Sequence, residues 1–490
     1  MSDSLIVATT EGRLRGQIEN GLAVFRNVPF AAPPTGALRF MPPAPAQPWS
    51  DIRDATRNGP ICPQLPARLA TLMGPIEAAQ DEDCLSLTIW APESREPARP
   101  VLVWLHGGGY ASGAGSLPWY SGENLAREHN IVVVGVNYRV GALGYLYQPG
   151  LVGGNMGLLD QIAALRWIGR NAASFGGDAG SVTLMGQSGG AHSIACMMAM
   201  PDTRALVERA IFLSTPFGMQ TIPAQAATAS AATFLDALKI DPADTDALAR
   251  LQQATVGDIL QAQLAVMRRP WRPAGDPTPP FGPTAVGGLP AGTEFDRALR
   301  GAAANIDLVV GTTRDEMALF YGQDPRVQAQ SGAIATLAEN LFGQSASQRL
   351  LLAKRHRPGC SDLQALFDAQ NVHYFVEGAC ALAAVGGKAW MYQFYWTAAN
   401  GKLGACHCIE LPFIFGSWTG FDRAPMLGAV TPPIEALSAV VRGAIGRFVN
   451  ASDPNGDDLP HWPPFDAASR AVLHFDTLLT VQRAPELSFH

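Results

Sequence analysis

A series of short apolar runs is the feature that most constrains how this chain can fold. The runs are rich in Val, Ile and Leu, as strands buried on both faces of a sheet are. Between two of them, Leu158, Ile162, Leu165 and Ile168 recur at the spacing of one helix face. This alternation predicts an α/β fold, a mostly parallel central sheet with helices on both faces. The predicted strands are residues 101–105, 131–136, 181–185, 209–213, 306–310, 389–395 and 471–475.

The middle of the chain has a different pattern. Residues 224–269 are rich in Ala and Leu and predict helices. Residues 270–292 contain seven Pro and five Gly in 23 residues, which is too many for a helix or a strand. We therefore expect one domain over residues 1–490, with a helical and Pro/Gly-rich insertion at about 217–295.

Composition excludes several classes of protein. Of 490 residues, 47% are hydrophobic and 16% are charged, so the chain can bury a large core and is not disordered. A net charge of −7 gives no general attraction to nucleic acid or to an anionic membrane. The apolar runs are too short to span a bilayer, and the N-terminal residues lack the pattern of a leader. We expect a cytoplasmic monomer or small homo-oligomer whose partner is a small molecule.

Residues 186–190 read Gly-Gln-Ser-Gly-Gly and lie between a predicted strand and a predicted helix. This is the G-x-S-x-G pattern in the context that a nucleophilic serine requires. The glycines suit a sharp turn in which neighbouring backbone comes too close for a Cβ. The turn would expose the Ser188 hydroxyl at the edge of the sheet. The alternative is a glycine-rich turn that contains a serine by chance.

A second glycine run, His-Gly-Gly-Gly at 106–109, follows the predicted strand 101–105. Backbone N–H groups in such a run can point at an oxygen that gains negative charge during acyl transfer. Gly108 and Gly109, together with the N–H of Gly189, are the candidate donors. A phosphate cradle is the rival interpretation, but neither G-x-G-x-x-G nor G-x-x-x-x-G-K occurs in the chain.

A serine nucleophile needs a base, and the base needs an acid that orients it. Among the nine histidines, His407 has the right place, in a loop that follows the late strand 389–395. His192, four residues after Ser188 on the predicted helix, would point behind the nucleophile. The acid should follow the strand 306–310, where Asp315 and Glu316 are adjacent, and the pattern does not choose between them.

Two cysteines flank the candidate base and suggest a metal site. Cys406, His407 and Cys408 are adjacent, so on extended backbone their side chains point to alternate sides and do not close a tetrahedral site. We expect no metal and no cofactor.

These motifs resemble the type-B carboxylesterase family of α/β-hydrolases, over nearly the whole chain. The resemblance implies that Ser188 is the nucleophile, Glu316 the acid and His407 the base. It also implies that Gly108, Gly109 and Gly189 donate to the oxyanion, that Cys62 and Cys84 can form a disulfide, and that no leader precedes the catalytic domain. The segments that carry the resemblance are residues 10–16, 25–31, 82–85, 155–161, 175–178, 186–190, 311–316, 407 and 462–463.

The chain departs from the usual Gly-Glu-Ser-Ala-Gly at Gln187 and Gly189. Loss of the carboxylate beside the nucleophile argues against selectivity for cationic substrates. The serine motif and residues 216–219 look like the bacterial branch that contains p-nitrobenzyl esterases and phenmedipham hydrolase. Gln187, Phe217 and Met219 are the candidate pocket residues. We predict a serine hydrolase of aryl or alkyl carboxylic esters, with a carbamate or amide hydrolase as the alternative and a non-catalytic binding module as a weaker one.

Overall fold

The apolar runs form the centre of one large sheet. The computed structural model describes residues 4–94, 96–268, 278–321, 334–399 and 403–484. The strands are β1 (Ser4–Ala8), β2 (Arg13–Glu19), β3 (Leu22–Pro29), β4 (Ile52–Asp54), β5 (Ser86–Pro92), β6 (Arg99–Leu105), β7 (Val132–Val136), β8 (Tyr147–Gln148), β9 (Val152–Gly153), β10 (Gly177–Gln187), β11 (Arg209–Leu213), β12 (Asp307–Thr313), β13 (Ala389–Phe394), β14 (Ala471–Phe475) and β15 (Thr480–Arg483).

The strand order confirms the predicted mostly parallel sheet. Strands β7, β6, β10, β11, β12, β13 and β14 are adjacent in that order, and each neighbouring pair is parallel. The edges are antiparallel, with β1, β2, β3 and β5 leading to β7 on one side and β15 on the other. Because parallel strands end at the same edge, the loops after β10, β12 and β13 meet there.

Helices cover both faces of the sheet. Along β6, Val101, Val103 and Leu105 join one buried cluster, whereas Leu102 and Trp104 join the other. The helices are α1 (Ala70–Met73), α2 (Glu123–His129), α3 (Gly141–Tyr145), α4 (Met156–Asn171), α5 (Gly189–Ala199), α6 (Ala224–Ala237), α7 (Ala247–Gln253), α8 (Val256–Met267), α9 (Gly292–Ala303), α10 (Ala318–Tyr321), α11 (Ile334–Phe342), α12 (Ala346–His356), α13 (Asp362–Asn371), α14 (Glu377–Ala383), α15 (Leu411–Phe415) and α16 (Pro432–Ala451). A π-helical segment, Val372–Val376, joins α13 to α14.

The predicted insertion contains helices α6 to α8. Phe234 of α6 and Ile259 of α8 belong to the same buried cluster as the sheet residues of that face. Residues 278–291 form neither a helix nor a regular strand, while residues 269–277 lie outside the described residues. A further helical block, α11 to α14, connects β12 to β13 and was not among the predicted elements.

A buried ion pair joins the segment after β7 to helix α4. Arg139 donates from Nη2 to Oδ1 of Asp160 at 2.7 Å and from Nε to Oδ2 at 2.8 Å. Only 3% and 0% of the two side chains are exposed. Each charge is therefore compensated by the other and not by water, and loss of either partner leaves a buried unpaired charge.

We predict that Asp160→Ala lowers the free energy of unfolding by about 3–5 kcal/mol, because the Arg139 guanidinium stays buried without its carboxylate. Urea unfolding followed by circular dichroism measures the loss. The control is Glu123→Ala, which removes the exposed pair with Arg127 on α2 and should cost about 0.5 kcal/mol or less. Equal losses in the two variants would contradict the prediction.

Candidate functional site

The candidate nucleophile lies at a sharp turn between β10 and α5. Ser188 has φ 53° and ψ −120°, a strained conformation for a residue with a Cβ. Its N–H donates to the carbonyl of Leu213 at the end of β11, at 2.9 Å. A Cβ on Gly186 would lie 2.6 Å from the nitrogen of Ala191, and one on Gly190 would lie 2.1 Å from the oxygen of Leu105. The turn therefore requires glycine at both positions.

The structure brings Glu316, and not Asp315, to the candidate base. His407 follows β13, and its Nδ1 lies 2.5 Å from Oε2 of Glu316. The second oxygen of Glu316 accepts the N–H of Thr313 at 2.7 Å. Both side chains are buried. A carboxylate at Nδ1 keeps the proton on that nitrogen and leaves a lone pair on Nε2, as a general base requires.

Asp315 instead forms hydrogen bonds between the loop after β12 and the loop after β13. Its N–H donates to the carbonyl of Ala405, and its Oδ2 accepts the N–H of Ala405, each at 2.9 Å. Arg314 and Arg357 also donate to this carboxylate. Burial raises the pKa of Asp315, but the two guanidinium groups outweigh it and hold that pKa below its ordinary value. Asp315 therefore fixes the loop that carries His407 against the loop that carries Glu316.

Gln187 contacts the reactive nitrogen of the candidate base. Its Nε2 lies 3.1 Å from Nε2 of His407 and 3.3 Å from Sγ of Cys408. In the neutral form of His407, Nδ1–H faces Glu316, so the Gln187 amide N–H is the donor and the imidazole Nε2 is the acceptor. Among the described residues, no hydrogen bond is formed by the Ser188 hydroxyl. Catalytic hydrogen bonds are often long without substrate and tighten when it binds.

Opposing effects act on the pKa of His407. Burial lowers it, whereas the Cys408 side chain and the Glu316 carboxylate raise it, and the net direction is well above the ordinary value. Burial raises the pKa of Cys408 itself, so at neutral pH this group is an uncharged thiol. The Glu316 carboxylate is therefore the charge that favours the imidazolium.

The second glycine run lies against the serine turn. Gly108 has φ 112° and Gly109 has φ 59°, which suit glycine. A Cβ on Gly189 would lie 3.4 Å from the nitrogen of Tyr110 and 3.6 Å from that of Gly109. Backbone N–H groups of the run thus lie beside the start of α5, where an oxyanion would form next to Ser188.

The ring of His106 keeps this run in place. It stacks on Tyr138 at 4.1 Å, and its Nδ1 lies 2.7 Å from the carbonyl of Gly107. Burial lowers the pKa of His106 to about 4, so the ring is neutral at pH 7.

The candidate pocket residues follow β11. Phe217 and Met219 are both buried, and the N–H of Gly218 between them donates to the carbonyl of Tyr374 at 2.9 Å. Two further aromatic rings, which sequence reasoning missed, lie near His407: Phe320 at 5.1 Å and Phe375 at 5.6 Å. Both come from the connection between β12 and β13, where no motif marked them.

A third buried carboxyl group lies behind the histidine. Oε1 of Glu410 accepts the Ser214 hydroxyl at 2.9 Å, and its Oε2 has no partner in the part of the chain that is described. Burial and the nearby Glu316 carboxylate raise the pKa of Glu410 to about 7. Glu410 stands three residues after His407, and that position was the only signal that could have found it.

Cys62 and Cys84 are both buried in the core, and no bond joins their sulfur atoms in the structure. The disulfide that the resemblance implies between these two cysteines stays a prediction. No group of three or more His, Cys, Asp or Glu side chains among the described residues is arranged to hold a metal ion. Within the same ranges, no helix is long and apolar enough to cross a bilayer.

The chain is similar to proteins of known activity. A model described as the carboxylesterase family matches residues 3–488. The para-nitrobenzyl esterase of Bacillus subtilis is 34% identical, with 98% of this chain and 96% of that protein aligned. Phenmedipham hydrolase of Pseudarthrobacter oxydans is 36% identical over 96% and 94% of the two chains. A solved carboxylesterase of Geobacillus stearothermophilus has a TM-score of 0.85 at 31% identity, over 98% of each chain.

We predict that Glu316→Gln lowers the pKa of His407 by at least about one unit, because a neutral amide no longer favours the imidazolium. Histidine-selective NMR titration of the free protein measures the shift. Glu294→Gln, which changes an exposed carboxyl on α9, is the control and should leave the titration of His407 unchanged. An unaltered pKa in Glu316→Gln would disprove the role of this carboxylate.

Proposed function

The chain belongs to the carboxylesterase family and is a carboxylic-ester hydrolase, and we propose that it works through an acyl-enzyme on Ser188. The observation that carries this proposal is the convergence of three features at one edge of the sheet. They are the strained serine turn, the buried pair of His407 and Glu316, and the backbone N–H groups beside Gly189. Together these supply a nucleophile, an oriented base and an oxyanion site.

In the first half of the reaction, Oγ of Ser188 attacks the ester carbonyl as Nε2 of His407 takes the hydroxyl proton. Glu316 stabilises the imidazolium that forms, since its carboxylate lies 2.5 Å from Nδ1. The amide N–H of Gln187 and the hydroxyl of Ser188 compete for the same lone pair on Nε2. Substrate binding must therefore bring the hydroxyl closer to Nε2 than it lies in the free enzyme.

The tetrahedral intermediate places a negative charge on the former carbonyl oxygen. We assign its stabilisation to the N–H groups of Gly108, Gly109 and Gly189. One such donor is typically worth about 3–4 kcal/mol in the transition state. The N–H of Ser188 does not contribute, because it donates to the carbonyl of Leu213.

His407 then returns its proton to the leaving alcohol, and the acyl group remains on Ser188. A water molecule, deprotonated at Nε2 of the same histidine, attacks the acyl-enzyme and releases the acid. Nε2 of His407 thus accepts a proton and gives one up in turn in each half of the reaction. The rate should therefore rise with pH as His407 becomes neutral, over a pH range above the ordinary histidine value because its pKa is raised.

Several observations favour an uncharged, partly aromatic ester. Phe320 and Phe375 are apolar side chains near His407, and Phe217 and Met219, which we assign to the pocket, are buried apolar side chains. Gln187 is neutral where a carboxylate would attract a cation. Carbamate or amide hydrolysis by the same residues is the alternative. A carbamoyl-enzyme reacts more slowly with water because its nitrogen donates electrons into the carbonyl.

A cytoplasmic location and a monomeric or small homo-oligomeric state are also proposals. They are consistent with seven free cysteines, because thiols stay reduced in a cytoplasm. Fractionation of the source cells and light scattering on the purified protein test them.

We predict that wild-type enzyme mixed with p-nitrophenyl butyrate gives a burst of nitrophenolate and a butyryl adduct on Ser188 by intact mass. Ser188→Ala should lose the adduct and at least about 10⁴-fold in kcat. Ser181→Ala, which removes a hydroxyl of β10 that accepts a hydrogen bond from Arg209, is the control. An aryl N-phenylcarbamate run in parallel identifies the preferred acyl class. Turnover by Ser188→Ala at the wild-type rate would reject the mechanism.

We predict that Phe217→Ala shifts preference from aromatic or long acyl chains towards short ones, because the variant removes an apolar wall. The ratio of kcat/KM for p-nitrophenyl octanoate and acetate should fall about tenfold. Phe465→Ala is the matched control, since Phe465 is buried to a similar degree outside the proposed site. Phe465→Ala should keep the chain-length preference of the wild type. If Phe217→Ala also keeps it, the pocket assignment is wrong.

A further inference from the structure

His192 is a buried histidine that the proposed mechanism does not use. It lies on α5, one turn after Ser188, and only 1% of it is exposed. Its ring takes part in two hydrogen bonds, one at each nitrogen. Nδ1 lies 2.8 Å from the hydroxyl of Tyr110, and Nε2 lies 3.1 Å from the carbonyl of Met219.

The two hydrogen-bond partners determine which ring nitrogen of His192 carries the hydrogen. A carbonyl oxygen only accepts, so Nε2 of His192 carries a hydrogen and donates it to Met219. Nδ1 then has a lone pair and accepts the O–H of Tyr110. Burial lowers the pKa of His192 to about 4, so the ring keeps this single neutral form around pH 7. His192 thus acts as a donor on one side and an acceptor on the other.

Each partner belongs to a different part of the proposed site. Tyr110 directly follows Gly109, and its nitrogen lies 3.4 Å from a Cβ placed on Gly189. The carbonyl of Tyr110 is held in turn by the N–H of Gly141 at 2.6 Å. Met219 is in the segment 216–219, which also carries Phe217. The ring of His192 thus connects the oxyanion loop to the wall of the acyl pocket.

We propose that His192 is a positioning residue that couples the acyl pocket to the oxyanion loop. The inference rests on the proposed function, because it assigns His192 a role in that same reaction. When an acyl chain packs on the 216–219 segment, the imidazole transmits its position to Tyr110 and so to the N–H of Gly109. Oxyanion stabilisation then depends on how well the pocket is filled.

The test is a double-mutant cycle of Tyr110→Phe and His192→Phe. Tyr110→Phe removes one oxygen and keeps the ring, so the fold should be preserved. His192→Phe keeps an aromatic ring and removes both hydrogen bonds. His192→Asn places an amide near Nδ1 and restores a partner for Tyr110 only. Thermal unfolding of every variant reports whether the fold is intact.

Two readouts separate positioning from general structural damage. The first is kcat and KM for p-nitrophenyl esters of two, four and eight acyl carbons. The second is the inhibition constant of an alkyl trifluoromethyl ketone, whose carbonyl carbon bonds to Ser188 Oγ and whose oxygen becomes the oxyanion. The hydroxyl proton moves to His407, so the adduct reports directly on the oxyanion donors.

We expect Tyr110→Phe to lower kcat about tenfold with little change in KM, and to weaken ketone binding by a similar factor. His192→Phe should do the same and also flatten the dependence on chain length. In the His192→Phe background, Tyr110→Phe should have almost no further effect, because the two residues act through one connection. His192→Asn should recover part of kcat without recovering the dependence on chain length.

Independent effects that multiply in the double variant would overturn the inference, as would unchanged ketone binding in Tyr110→Phe. The wild-type enzyme separates this failure from failure of the proposed function. If the wild type forms no adduct with the ketone and hydrolyses no ester, the proposed function is wrong. If the wild type reacts and the cycle is additive, only the coupling through His192 is wrong.

Discussion

The close approach of helix α5 to strand β6 is the constraint on which the rest of the site depends. A Cβ on Gly190 would lie 2.1 Å from the carbonyl oxygen of Leu105, so only glycine allows the helix to begin there. This contact sets the separation between Ser188 and the glycine run that follows β6. If α5 started further from the sheet, Ser188 and the N–H group of Gly109 could not act on the same substrate carbonyl group, as we propose that they do.

Much of the fold and the central residues of the site could be predicted from the sequence, because they depend on local pattern. The continuous apolar runs correspond to β6, β7, β10 and β11, since a strand buried on both faces has little choice of composition. Ser188 was recognisable from its glycines, whose conformational role is local. The choice between Asp315 and Glu316 was different. Adjacent residues point in different directions, and only the positions of Arg357 and Ala405 decide which carboxyl faces His407.

What could not be predicted depends on contacts between distant parts of the chain. The partners of His192 lie 82 and 27 residues away, and nothing local specifies them. Gln187 was assigned to the pocket from its place beside Ser188, yet its amide lies against His407, 220 residues further along. Phe320 and Phe375 belong to helical segments without a motif. Their position beside His407 follows from the path of the connection between β12 and β13, which apolar periodicity does not describe.

The residues of the proposed site come from two kinds of segment, and substitutions are constrained differently in each. The groups that we propose to react follow β10, β12 and β13, whose register is fixed by backbone pairing across the sheet. The two aromatic rings beside His407, Phe320 and Phe375, come from a connection that packs against those strands. If these rings line the substrate pocket as we propose, substitutions in that connection change which acyl or alcohol groups are accepted while the distance from Glu316 to His407 stays the same. An enzyme with this architecture can therefore gain new substrates through substitutions in its connecting segments, while its reaction mechanism stays the same.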